Sequence, residues 1–79
     1  MDIRLEYDRD VQALYVYLRD LPFAYNKELD ERRIIDYAAD NRPIGIEFLG
    51  VDHGVDLRDL PEHAAIGHLL EANNIKIFA

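Results

Sequence analysis

The chain has no cysteine, serine, threonine or tryptophan, and only four of its 79 residues are glycine. Each absence closes off a class of chemistry. Without cysteine there is no disulfide and no thiolate metal site. With serine and threonine missing as well, the side-chain nucleophiles of ordinary acyl-transfer triads are gone. Gly45, Gly50, Gly54 and Gly67 never fall into a phosphate-cradling pattern, which argues against nucleotide chemistry. No apolar run approaches the roughly 20 residues of a membrane helix, and Met1 to Glu6 carries charges where a signal peptide needs an apolar stretch. The expectation is a cytoplasmic protein with no membrane contact.

Positive charge is also scarce. Nine basic residues stand against 16 acidic ones, a formal charge of -7, which repels a phosphate backbone. The one adjacent basic pair, Arg32-Arg33, follows Asp30 and Glu31 and reads as a solvated turn. Direct nucleic-acid binding is not expected, and a DNA-binding antitoxin ranks third among the functional readings. The same charge favours encounter with a basic protein partner, although solubility is its plainer consequence.

What is present is strand-forming sequence. Ile3 to Tyr7 alternates apolar and charged residues with period two, the pattern of a half-buried strand. Asp8 to Asp10 make a turn, and Ala13 to Leu18 is apolar at both parities, as expected of a central strand covered on both faces. Ala24 to Leu29 is more polar and suits a sheet edge, where Lys27 and Glu28 discourage stray pairing. Arg33 to Tyr37 and Pro43 to Leu49 flank a hairpin turn centred on Asp40-Asn41. That register pairs Tyr37 with Ile44 and Ile35 with Ile46 on one face, and Asp36 with Gly45 and Ile34 with Glu47 on the other.

Leu60-Pro61-Glu62-His63 reads as a helix start with Asp59 as a cap. Ile66, Leu69 and Leu70 continue it, and Asn73-Asn74 stops it in a left-handed conformation. Ile75 to Phe78 forms a short terminal strand, which pairs with the sheet or with another subunit. The fold expected over residues 1–79 is a single α+β domain, a five-stranded and mainly antiparallel β-meander with one C-terminal helix packed on one face.

"YDRDVQALYVYL" and "IIDYAADNRPIGIEFL" resemble the YuzE-like family of small bacterial domains of unknown function. The resemblance runs from about residue 3 to 50 and is carried by Tyr7, Asp8, Asp10, Ala13, Leu14, Tyr15, Val16, Leu18, Asp36, Asp40, Gly45, Ile46, Glu47 and Leu49. Arg9 stands where such sequences often have proline, and Asn41 where they have glycine. The resemblance implies an α+β fold on an antiparallel sheet with no established chemistry. It implies a protein-binding, antitoxin-like role for some members.

Four residues stand out as a candidate sheet-face interaction or ligand site: Tyr15, Tyr17, Asp36 and Glu47. Asp36 and Glu47 share a face in the expected register, and paired carboxylates can divide acid from base work. The plainer reading makes them a structural pair satisfied by tyrosine hydroxyls, Arg33 or water. Tyr15 and Tyr17 have the parity opposite to Leu14, Val16 and Leu18. One helix covers one sheet face, so one of these two rows meets solvent or another protein. His53, His63 and His68 do not read as a metal site, because residues five apart on a helix diverge by roughly 140°. No catalytic residue, cofactor or metal is assigned. The leading expectation is an interaction module that self-associates, preferably as a dimer, through the sheet face or the terminal strand, and that binds a basic partner. The alternative is a small enzyme or ligand-binding protein using Asp36, Glu47 and Tyr15.

Overall fold

In the computed structural model, residues 3–78 are described. Strands β1 (Arg4–Asp8), β2 (Ala13–Tyr17), β3 (Tyr25–Asp30), β4 (Arg33–Tyr37) and β5 (Pro43–Leu49) are followed by a 3₁₀ turn, Val51–His53, and by helix α1 (His63–Ala72). All five strands lie in one antiparallel sheet of order β1-β2-β5-β4-β3. Neighbours in sequence are neighbours in the sheet except β2 and β3. The segment from Arg19 to Ala24 carries the chain across to the far edge, and β5 returns to close the gap beside β2. The polar strand expected at an edge, β3, is one.

Period-two alternation sorts the side chains. Leu14 and Val16 of β2, Ile35 of β4, and Ile46 and Phe48 of β5 point to the helix side and are buried together with Leu18, Val51, Val55, Leu60, Ile66 and Leu70. Ile66 and Leu70, four residues apart, form the stripe that α1 lays on the sheet. Truncating a fully buried aliphatic such as Ile46 to alanine is expected to cost about 2–5 kcal/mol. That is much of what a core this thin can supply.

The hairpin register is the expected one at Ile34–Glu47, Ile35–Ile46 and Asp36–Gly45. Beyond Asp36 a bulge shifts it by one residue, so Tyr37 faces Pro43 instead of Ile44. Pro43 has no N–H to offer the ladder, and Asn41 takes the positive φ of 69° that closes the turn.

The helix begins later than its start signals suggest. Leu60 is buried in the core, Asp59 and Glu62 both adopt positive φ, and the first helical residue is His63. Asp59 is therefore a turn residue and not the cap. The Glu62 side chain caps no backbone N–H. Its carboxylate instead takes a hydrogen bond of 2.8 Å from Arg19 Nη1. At the other end Asn74 has the expected left-handed φ of 56°. The terminal strand reduces to a single parallel bridge between Ile77 and Val55, flanked by Val55 N–H to Lys76 O and Phe78 N–H to Val55 O, both 2.8 Å. The segment thus pairs within its own chain.

Arg33 overturns its assignment to a solvated turn. Only 7% exposed, it sits on the helix side of β4, where its fork donates from Nε (2.9 Å) and Nη2 (2.8 Å) to Asp30 Oδ2, and its Nη1 donates to the carbonyls of Asp56 and Arg58. It pins the loop that leads to the helix. Arg33 is also unable to serve Asp36 and Glu47, because neighbouring residues of a strand point to opposite faces. Among the described residues no helix is long and apolar enough to cross a membrane.

Candidate functional site

The face turned away from α1 is built from three rows of cross-strand partners. Glu6, Tyr15, Glu47, Ile34 and Glu28 form one, Arg4, Tyr17, Gly45, Asp36 and Asn26 the next, and Asp8, Ala13 and Leu49 a third. Five carboxylates (Glu6, Asp8, Glu28, Asp36 and Glu47) thus share a surface with one guanidinium, Arg4. All four candidate residues from the sequence lie here, and the strand register alone brings them together.

Tyr15 is the centre of the arrangement. Its ring crosses Gly45 diagonally so that its hydroxyl donates a 2.7 Å hydrogen bond to Asp36 Oδ2. A Cβ at Gly45 would fall 2.5 Å from Tyr15 Cζ, inside any tolerable contact. The absence of a side chain at position 45 is what lets the phenol reach β4. Tyr17 packs beside it, with ring centroids 4.6 Å apart and planes inclined by 57°. The guanidinium of Arg4 lies 3.9 Å from the centre of the Tyr17 ring. The two tyrosines are half-buried, and so are Ile34, Asp36, Glu47 and Leu49.

Burial, then the hydrogen bond to Asp36 and the negative charge of that carboxylate, push the Tyr15 phenol well above the ordinary tyrosine range, with Tyr17 and Glu47 adding to the effect. Tyr15 is consequently a fixed neutral donor and not an activated base. Glu6, Asp8, Ala13, Tyr15 and Glu47 of this face line a shallow depression of about 300 Å³ at its acidic end, which extends past the sheet edge to Tyr7. A cationic side chain entering it would meet three carboxylates and a tyrosine ring, a combination suited to lysine or arginine.

The three histidines are exposed and separate, and among the described residues no group of three or more potential ligands is arranged to hold a metal ion. The steric role of Gly45 depends on a diagonal contact, and the stacking of Arg4 on Tyr17 follows from the β1–β2 register. The period-two pattern of β1 carried the second signal and nothing local carried the first.

A family model described as "Protein of unknown function (DUF2283)" matches residues 4–51, the span of the whole five-stranded sheet. The chain belongs to this DUF2283 family. Its matched region contains both sheet faces and stops before α1, so the Tyr15–Gly45–Asp36 arrangement lies wholly inside the family's domain. Comparison with curated proteins gives no match, and comparison with solved structures gives none.

Proposed function

We propose that this DUF2283 domain is a protein-interaction module whose helix-free sheet face receives a basic partner. The observation that carries the reading is the charge and shape of that face, five carboxylates and one arginine surrounding two half-buried tyrosines. Tyrosine offers a rigid apolar body with a hydroxyl that needs no water, the combination that recurs at protein interfaces. The carboxylates supply steering and register more than raw affinity. The resemblance to YuzE-like domains, some of them antitoxin-like, points the same way. Two copies joined through this face would set like-charged rows against each other, which disfavours it as a self-association surface.

An enzymatic use of Asp36, Glu47 and Tyr15 has geometry in its favour only at Tyr15–Asp36. There the raised phenol opposes the acid-base work such a site would need.

The test is a titration of the labelled domain with a peptide of alternating lysine and valine, followed by amide chemical shifts. Shifts should concentrate on β1, β2 and β5 around Tyr15 and Glu47. The Glu6→Gln/Glu47→Gln double variant should bind roughly tenfold more weakly, given about 0.5–1 kcal/mol per rim charge. Shifts centred on α1, or a double variant that binds as well as the parent, would refute the assignment.

A further inference from the structure

We propose that β1 is a self-complementary edge through which two copies of the chain join into one continuous antiparallel sheet. This rests on the edge and not on the helix-free face, so either assignment can fail without the other. β1 ends the sheet, with β2 on one side and no strand on the other among the described residues. Its side chains alternate Ile3, Leu5 and Tyr7 toward the helix side with Arg4, Glu6 and Asp8 toward the open face. The apolar set is incompletely covered: Ile3 and Leu5 are only partly buried against the core, and Tyr7 is 37% exposed.

Two identical edges can continue a sheet only about a two-fold axis perpendicular to it. Each residue then faces one of the same parity in the second copy, and a single residue faces itself. With Leu5 on the axis, Arg4 faces Glu6 of the second copy and Glu6 faces its Arg4. Ile3 faces Tyr7 of the second copy, and the reverse holds on the far side. Every one of these pairs is either apolar or oppositely charged, and the ion pairs lie on one face while the apolar pairs lie on the other. The neighbouring registers lack this match. Placing Glu6 on the axis opposes two glutamates, and placing Arg4 there opposes two arginines.

The match is confined to the five residues from Ile3 to Tyr7. That predicts a weak, exchanging dimer at the small end of interface sizes. The opposite edge does not share the property. Pairing β3 about its middle brings Lys27 onto Lys27 or Glu28 onto Glu28, and a bulge between Glu28 and Asp30 disrupts its ladder.

The dimer so formed would carry two helix-free faces side by side, doubling the acidic surface without covering it. A basic segment long enough to span both would gain avidity from this.

Sedimentation equilibrium tests the proposal. The parent chain should show a mass rising toward twice the monomer at about 100 μM, while Arg4→Glu and Glu6→Arg, each opposing like charges twice across the axis, should dissociate roughly tenfold more readily. Mixing the two variants should restore dimerisation, because the introduced glutamate at position 4 then faces the introduced arginine at position 6 in one pair, and the native Glu6 faces the native Arg4 in the other. The far-ultraviolet circular dichroism of each variant checks that the fold is intact. Amide exchange in β1 should also slow as parent concentration rises, a readout that needs no substitution. The proposal is overturned by a parent chain that stays monomeric at about 1 mM with β1 exchange independent of concentration. It is equally overturned by folded single variants that dimerise as the parent does, or by a mixture that fails to associate.

Discussion

Substituting Gly45 by alanine should destabilise the domain through one neighbour, and the size and sign of the effect follow from the geometry. The added methyl would stand 2.5 Å from Tyr15 Cζ, so the ring must swing off β5. Its hydroxyl then leaves Asp36, breaking a 2.7 Å bond to a charged acceptor, worth about 1.5–3 kcal/mol where water is excluded and less at this half-buried site. The ring also gives up its contact with Tyr17, worth about 0.5–1.5 kcal/mol. Against this, alanine is about 0.5–1 kcal/mol better than glycine within a strand. The net expectation is a loss of about 2 kcal/mol, equivalent to a fall in Tm on the order of 10 °C for a domain of this size.

The decisive measurement is a double-mutant cycle in urea. With Tyr15→Ala already in place the obstacle is gone, and Gly45→Ala should reverse sign and stabilise. Tyr15→Phe, which keeps the ring over Gly45 and removes only the hydroxyl, should lose the hydrogen-bond part alone. A Gly45→Ala variant as stable as the parent, or one that destabilises equally in the Tyr15→Ala background, would refute the role assigned to the bare backbone at position 45.

Three further outcomes are expected. Arg33→Ala should cost about 3 kcal/mol by urea denaturation, since it strands two loop carbonyls and removes the cation beside Asp30 and Asp56, and a change below about 0.5 kcal/mol would contradict its clamping role. Acid should weaken the fold through Asp56. The Arg58 side chain and N–H, helped by Arg33, hold this carboxyl down at about 2 from an ordinary value of 3.8, and the Arg33 side chain holds Asp30 low too. Because these folded values are depressed, the stability they contribute is present above about pH 4 and drains away as pH falls toward 2. It amounts to about 1 kcal/mol for Asp56 after solvent screening, and melting curves taken across that window should show a decline that Asp56→Asn makes shallower. Base acts through Tyr15, whose raised phenol stabilises the fold below pH 10 and ceases to do so as pH climbs through its folded value. Absorbance titration should find one tyrosine ionising late in the parent and earlier in Asp36→Asn.

How far the sequence discloses this molecule depends on the range of the interaction. Period-two alternation in Ile3 to Tyr7 and in Arg33 to Tyr37, with Asp40-Asn41 between two apolar runs, is local. It locates the strands to within a residue or two and sets the hairpin register up to Asp36. The bulge that moves Tyr37 onto Pro43 escapes a symmetric count. The helix start fails for a different reason. Pro61 and Glu62 carry favourable local signals, yet burial of Leu60 and the Arg19–Glu62 ion pair fix the backbone in positive φ, and tertiary contacts override them. The flanking acidic residues suggest a solvated turn at Arg33, yet its parity with Ile35 and Tyr37 puts it on the helix side.

The same parity explains why the two faces differ in kind. On the helix side, each of the three guanidinium nitrogens of Arg33 donates to Asp30 or to loop carbonyls, so the charge buried there is neutralised within the chain. On the open side, five carboxylates have one arginine among them, and Arg4 is shared between Glu6 at 3.5 Å and the Tyr17 ring. Internal pairing therefore accounts for one face and leaves the other with surplus negative charge around a fixed aromatic pair. A chain needing only solubility could scatter that charge over loops and the exposed helix flank at no cost in packing. Setting it instead around half-buried tyrosines, on the one face that α1 leaves open, is the arrangement on which the proposal of a basic partner rests.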